Sequence, residues 1–155
     1  MERKTTHQRG SRKRCKVPDC GTYALVLLLP RAQTMRVGRL GAFKFPRGYY
    51  IYVGSALNGL TKRILRHMDD GKKMFWHIDY FLRYALVKEL WVHRGDERLE
   101  CLWARAALAL PRTKIIAPRF GASDCSCPTH LVYFGAAIPK LHTRTNRATK
   151  RKSKA

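Results

Sequence analysis

Two segments, GTYALVLLL at residues 21–29 and YYIYV at residues 49–53, decide the fold class. The first is nearly continuously apolar and rich in β-formers, as a strand covered on both faces must be. The second is entirely β-branched or aromatic, the strongest strand signal in the chain. Between them, Pro30–Gln33 reads as a turn and Thr34–Val37 (TMRV) as a short strand. Gly38–Gly48 reads as loop, with a brief strand at Ala42–Phe45. Strands joined by short turns predict an antiparallel meander, with residues 21–29 and 49–53 running parallel as its first and third strands.

Beyond residue 53 the texture changes. In Gly59–Met68 (GLTKRILRHM), Leu60 and Ile64 share a face with Leu65 and Met68 beside it, which predicts a helix ended by Asp69, Asp70 and Gly71. Phe75–Tyr84 predicts a second short helix and Val87–His93 (VKELWVH) a roughly alternating strand. Glu97–Leu110 predicts a third helix, starting behind Asp96 as N-cap and stopped by Pro111. Residues 112–129 read as irregular and His130–Phe134 as a last strand. Strands first and helices after make an α+β domain.

Charge speaks to the partner. The 155 residues carry 32 Lys and Arg against 10 Asp and Glu, a formal charge of +22. Residues 1–16 carry +6 and residues 139–155 carry +7, so both read as basic, flexible arms around a domain at 17–138. The domain keeps +9 of its own. Arms and body both favour a polyanion through phosphate neutralisation and counterion release. Nucleic acid is the expected partner, DNA ahead of RNA. A membrane is not expected: the longest apolar run, Tyr23–Leu29, stops at Pro30, far short of the roughly 18 residues of a transmembrane helix. The basic start lacks a following apolar region and reads as no signal peptide. Five cysteines without a framework-like spacing suit a reducing compartment, so the expected location is cytoplasmic.

Several residues could carry chemistry. Tyr23 opens the first strand after Gly21-Thr22, and Tyr52 closes a later one before Val53-Gly54; each also reads as ordinary strand packing. Arg63 and His67 are four apart on one helix face with Arg66 beside them, a row suited to a phosphate or simply to solvent. Lys62, Lys72 and Lys73 extend this basic surface. Glu100 sits in LECLWARAALAL (99–110), apolar nearly all round except for itself and Arg105. Burying an unpaired charge is expensive, so Glu100 must hold a metal or pair with a cation such as Arg105. Cys125 and Cys127, with His130, are zinc-ligand types, and Cys101 could join them. Cys-x-Cys is not the usual zinc spacing, so a buried thiol cluster or a shaped loop is the preferred reading over Zn²⁺ there.

Together these residues resemble the GIY-YIG nuclease superfamily. Gly21-Thr22-Tyr23 stands for its first motif and Tyr52-Val53-Gly54 for its second, with Arg63 and Glu100 following in the family's order. The stretches RLGAFKFPRGYYIYVGSA (39–56), KRILRH (62–67), WHIDYF (76–81) and FGASDCSCPTHLVYF (120–134) are similar to the Uri-type endonuclease-like branch. The resemblance covers about residues 20–135. It implies a small, mainly antiparallel sheet flanked by helices and a metal-dependent endonuclease hydrolysing phosphodiester bonds. Glu100 would ligate one Mg²⁺ or Mn²⁺, Arg63 would stabilise charge on phosphorus, and Tyr23 and Tyr52 would orient or activate water. His67 and His77 would relay protons, and Arg66, Lys62, Lys72 and Lys73 would bind the nucleic-acid backbone. The alternative is a noncatalytic DNA- or RNA-binding protein that keeps this fold.

Overall fold

The computed structural model describes residues 19–138; both expected arms lie outside the described residues. The domain is α+β. Strand β1 (Gly21–Leu29) is followed by β2 (Gln33–Val37), β3 (Gly41–Phe45) and β4 (Gly48–Ala56). Helices α1 (Leu60–His67) and α2 (His77–Leu82) come next, then β5 (Leu86–Arg94), α3 (Glu100–Leu108) and β6 (Leu131–Gly135). Four strands form one antiparallel sheet in the order β5-β1-β4-β6, while β2 and β3 pair as a separate two-stranded sheet.

The expected parallel relation of the first and later strands is corrected. Strands β1 and β4 are direct antiparallel neighbours, with Tyr23 opposite Gly54 and Leu25 opposite Tyr52. The weak signal at residues 41–45 is a full strand, so β4 is the fourth strand rather than the third. One more reversal of direction makes it antiparallel to β1. The third helix is also shorter than expected, starting at Glu100 rather than Glu97. Glu97 is instead drawn to the end of β5, where its carboxylate lies 2.7 Å from His93 Nε2.

Strand β1 is apolar from Ala24 onward because it is covered on both faces. Tyr23, Leu25, Leu27 and Leu29 point into a large core with Phe45, Tyr50, Ile78, Phe81 and Phe120. Ala24 and Val26 point the other way, into a smaller core with Ile51, Val53, Val132 and Ala107 of α3. The period of two thus places Tyr23 and Tyr52 on one face and α3 on the other. Ser55, near the end of β4, follows Ile51 and Val53 on the α3 face, where it meets Glu100. Among the described residues no helix is long and apolar enough to cross a membrane.

The register explains one glycine. A Cβ on Gly54 would lie 2.5 Å from the Tyr23 hydroxyl, so the ring can cross its partner strand only over a bare Cα. Gly54→Ala is expected to cost about 1–3 kcal/mol, as overpacking does, and to displace the Tyr23 ring. Chemical denaturation with near-ultraviolet circular dichroism checks both effects; an unchanged midpoint and tyrosine signal would refute this reading.

Candidate active-site cleft

A cleft of about 270 Å³ opens at the end of the sheet where β1 begins and β4 finishes. Tyr23, Tyr52, Arg63, His77 and Glu100 all line it, together with Gly54, Ser55, Trp76, Gly121 and Asp124. Five of the six residues singled out as catalytic from the sequence therefore share one cavity. The sixth, His67, stands behind them: its Nε2 is 2.6 Å from the Tyr23 hydroxyl, and both groups are buried.

Glu100 is held from two sides. Ser55 Oγ donates to Oε2 at 2.7 Å. His130 Nδ1 lies 3.0 Å from Oε1, a charge contact whose angle falls short of a full hydrogen bond. Burial alone would raise the Glu100 carboxyl, but His130 and Ser55 outweigh it and hold the group below its ordinary value, so it is ionised. The expected partner Arg105 is not the one found. With a quarter of its side chain exposed, the carboxylate keeps lone pairs free toward the cleft.

Arg63 reaches the same edge. Its guanidinium donates to the Ser55 carbonyl at 2.6 Å and stacks 4.5 Å from the centre of the Trp76 ring. Arg66 stacks on Trp76 as well, at 4.3 Å, so the indole meets two cations one helical turn apart. Arg66 itself is committed elsewhere. It grips Asp79 with two nitrogens at 2.8 and 3.0 Å and donates to the Lys73 carbonyl. Lys72 Nζ is tied to the carbonyls of His67 and Asp69, whereas Lys62 and Lys73 are exposed. None of these four lines the cleft.

Protonation states follow from burial. Burial raises the Tyr23 and Tyr52 phenols well above their ordinary value, against a smaller opposing pull from Arg63 on each. Both are neutral near pH 7. Burial pushes His67 down to about 4 from its ordinary 6.5, and Arg63, Arg66 and Lys72 add to that effect against the pull of Asp79. Burial also lowers His77, whose Nδ1 accepts the Gly121 backbone N–H at 2.9 Å. A neutral His77 accepting through Nδ1 carries its proton on Nε2, so it is a donor.

His67 makes stability pH-dependent. Between pH 6.5 and about 4 the unfolded chain protonates this histidine and the folded chain does not. The stability it allows is therefore complete above pH 6.5 and falls as pH drops through that window, by about 3 kcal/mol in all. Urea midpoints at pH 7 and pH 4.5 are expected to differ more for the wild type than for His67→Gln. Equal pH slopes for the two proteins would count against a neutral, buried His67.

Three contributors were not visible as site residues: Ser55, Asp79 and Gly121 carry no local pattern that marks them. The Phe75 and Trp76 backbone N–H groups both donate to Asp79, at 3.0 and 2.9 Å, which fixes the cleft wall. Asp124 is an exposed second carboxylate at the rim.

A second group lies just behind Glu100. Cys101, Cys125, Cys127 and His130 have donor atoms all within 4.8 Å of one another, so together they can hold a metal ion. The cysteines depart from a uniformly reduced set. Cys20 is disulfide-bonded, while Cys101, Cys125 and Cys127 are free thiols.

A small antiparallel sheet with a cationic, carboxylate-bearing cleft at its end defines the class of domain. The chain belongs to the DUF123 family, described as a domain of unknown function, which matches residues 22–153. No curated protein and no solved structure matches it.

Proposed function

We propose that the chain is a metal-dependent phosphodiester hydrolase acting on nucleic acid, in the manner of the GIY-YIG nucleases it resembles, with DNA the preferred substrate. The observation that carries this reading is the convergence of Tyr23, Tyr52, Arg63, His77 and Glu100 on one cleft. A binding protein has no need of an ionised carboxylate beside an arginine there; phosphoryl transfer uses both.

The cleft fits a divalent cation of the Mg²⁺ type. Such ions take one or two carboxylates, keep several waters and let substrate phosphate complete the shell. Glu100 would hold the ion, with Asp124 as a second oxygen ligand. When bound, the ion supplies Lewis-acid charge at the phosphate.

The remaining work belongs to the protein. Arg63, held by Ser55 and Trp76, presents fixed positive charge to the phosphate oxygens. Tyr23 passes its phenolic proton to neutral His67 as it accepts one from the attacking water, so no free phenolate is needed. His77 donates through Nε2 to a phosphate oxygen. Tyr52 forms the wall that orients the water. Phe75, three-quarters exposed at the rim, offers a stacking face for a base that leaves the helix. The +9 domain charge draws the polyanion in but selects no sequence.

The test is cleavage of branched, single-stranded and duplex DNA and of RNA with Mg²⁺ or Mn²⁺, comparing wild type with Arg63→Ala. Cleavage that is abolished by chelator and falls about 10²-fold or more in Arg63→Ala is expected. Tight binding with no cleavage of any substrate in either metal would sink the enzymatic reading and leave the noncatalytic binder.

A further inference from the structure

The cluster of Cys101, Cys125, Cys127 and His130 takes no part in the chemistry of the cleft, yet it touches the cleft through one atom. Cys101 is on the first turn of α3, beside Glu100. Cys125 and Cys127 lie on the loop before β6, and His130 immediately precedes that strand. Two segments far apart in sequence, the start of α3 and the loop before β6, therefore bring three sulfurs and one ring nitrogen to one point.

The spacing admits a tetrahedral site. With Zn–S near 2.3 Å and Zn–N near 2.0 Å, the edges of such a tetrahedron are roughly 3.5–3.8 Å. The Cys125 Sγ to His130 Nε2 distance is 3.4 Å, and no pair of donor atoms exceeds 4.8 Å.

The loop is also built to hold the thiols in place. Arg119, at a left-handed φ of 65°, donates to the carbonyls of both Cys127 and Cys125, at 2.7 and 2.6 Å. The Arg119 N–H donates to the Pro128 carbonyl, and the His130 N–H to that of Phe120. Thr129 ties the loop back to the Ala117 and Leu131 carbonyls. A non-glycine residue at positive φ is strained, and the bonds around it offset that strain while aiming two cysteines at a third. A loop wanted only for its shape needs no such convergence of sulfur.

We propose that Cys101, Cys125, Cys127 and His130 bind one structural Zn²⁺, and that this ion aims His130 at Glu100. Three thiolates and one imidazole make a closed, soft site, which selects zinc over the hard ion expected in the cleft. Nε2 faces the sulfurs, so Nδ1 carries the ring proton and faces Glu100 Oε1. A metal-bound histidine that turns its other nitrogen to a carboxylate is a recurrent arrangement, and it fixes the orientation of both partners. Here the carboxylate is the one that lines the cleft. His130 is a positioning residue, and the zinc proposal stands whether or not the cleft hydrolyses anything.

The experiment uses the full chain, expressed with zinc and purified without chelator. Metal analysis is expected to find about one zinc per chain, falling several-fold in Cys101→Ser and Cys127→Ser. Replacement by Co²⁺ in the wild type should give the intense visible bands of tetrahedral cobalt and a thiolate charge-transfer band, a readout that needs no variant to fold. His130→Cys should retain the metal through a fourth sulfur. Long-range ¹H–¹⁵N spectra of the zinc form should show His130 bound through Nε2 with a proton on Nδ1, and Glu100→Gln should move that Nδ1 resonance. A zinc-free wild type without tetrahedral cobalt bands, or a disulfide among these cysteines, overturns the site. Coordination through Nδ1 overturns the link to Glu100.

Discussion

Glu100→Gln is expected to lower the rate of nucleic-acid cleavage by at least the roughly 10²–10³-fold that loss of one fixed electrostatic group costs. The substitution keeps the shape and an oxygen able to accept from Ser55, but it removes the charge that would hold a divalent cation. Folding should suffer little, by about 1–2 kcal/mol, because only the charge-assisted part of the Ser55 and His130 contacts goes. Single-turnover cleavage at saturating Mg²⁺, beside a urea melt, separates the two effects. A pure Glu100→Gln protein that cuts at the wild-type rate would dismiss the cleft as a metal-dependent site. Loss of cleavage with an unchanged melt is the pattern expected of a ligand.

The largest effect on stability is expected at Asp79. Its carboxylate is fully buried, accepts from Arg66 twice and caps the Phe75 and Trp76 N–H groups. Burial alone would raise its carboxyl, but Arg66 and the two backbone bonds hold it below its ordinary value. Removing one partner of a buried ion pair costs about 3–5 kcal/mol. Arg66 is partly exposed and can rehydrate, so Asp79→Ala should lie near the lower end, about 3 kcal/mol. That is a large share of the 5–15 kcal/mol that typically holds a domain together. The loss extends to the cleft, since Trp76 stacks on Arg63. Asp79→Asn should fall between, keeping the shape without the charge. An unfolding free energy for Asp79→Ala from urea melts within about 1 kcal/mol of wild type would show that Arg66 and α2 hold without it.

The two predictions differ in how far each residue could be read in advance. Glu100 stood out because a carboxylate in an apolar helix demands an explanation, and burial follows directly from local composition. Asp79 gives no such signal: WHIDYF shows an acidic residue of ordinary appearance, and its meaning comes from Arg66, 13 residues away. The strands of the main sheet were legible from β-branched and aromatic runs. Their direction was not, because it depended on whether Ala42–Phe45 counted as a strand, and that segment is mixed in polarity. The four basic residues read as a nucleic-acid surface share one sign of charge but not one environment. Arg66 and Lys72 are consumed by internal bonds, and charge alone does not reveal a bond to a distant acceptor. The cysteines were legible in part: Cys101 was offered as a further member of the Cys125, Cys127 and His130 group, but only the fold brings it there from another element.

The cleft draws Tyr23 from the first strand of the fold and Asp124 from the loop before the last. Its rear support, His130, comes later still. Synthesis proceeds from one end to the other, so a ribosome has made nearly the whole domain before the cavity has all its walls. Whatever the cleft does must wait until β6 has paired with β4.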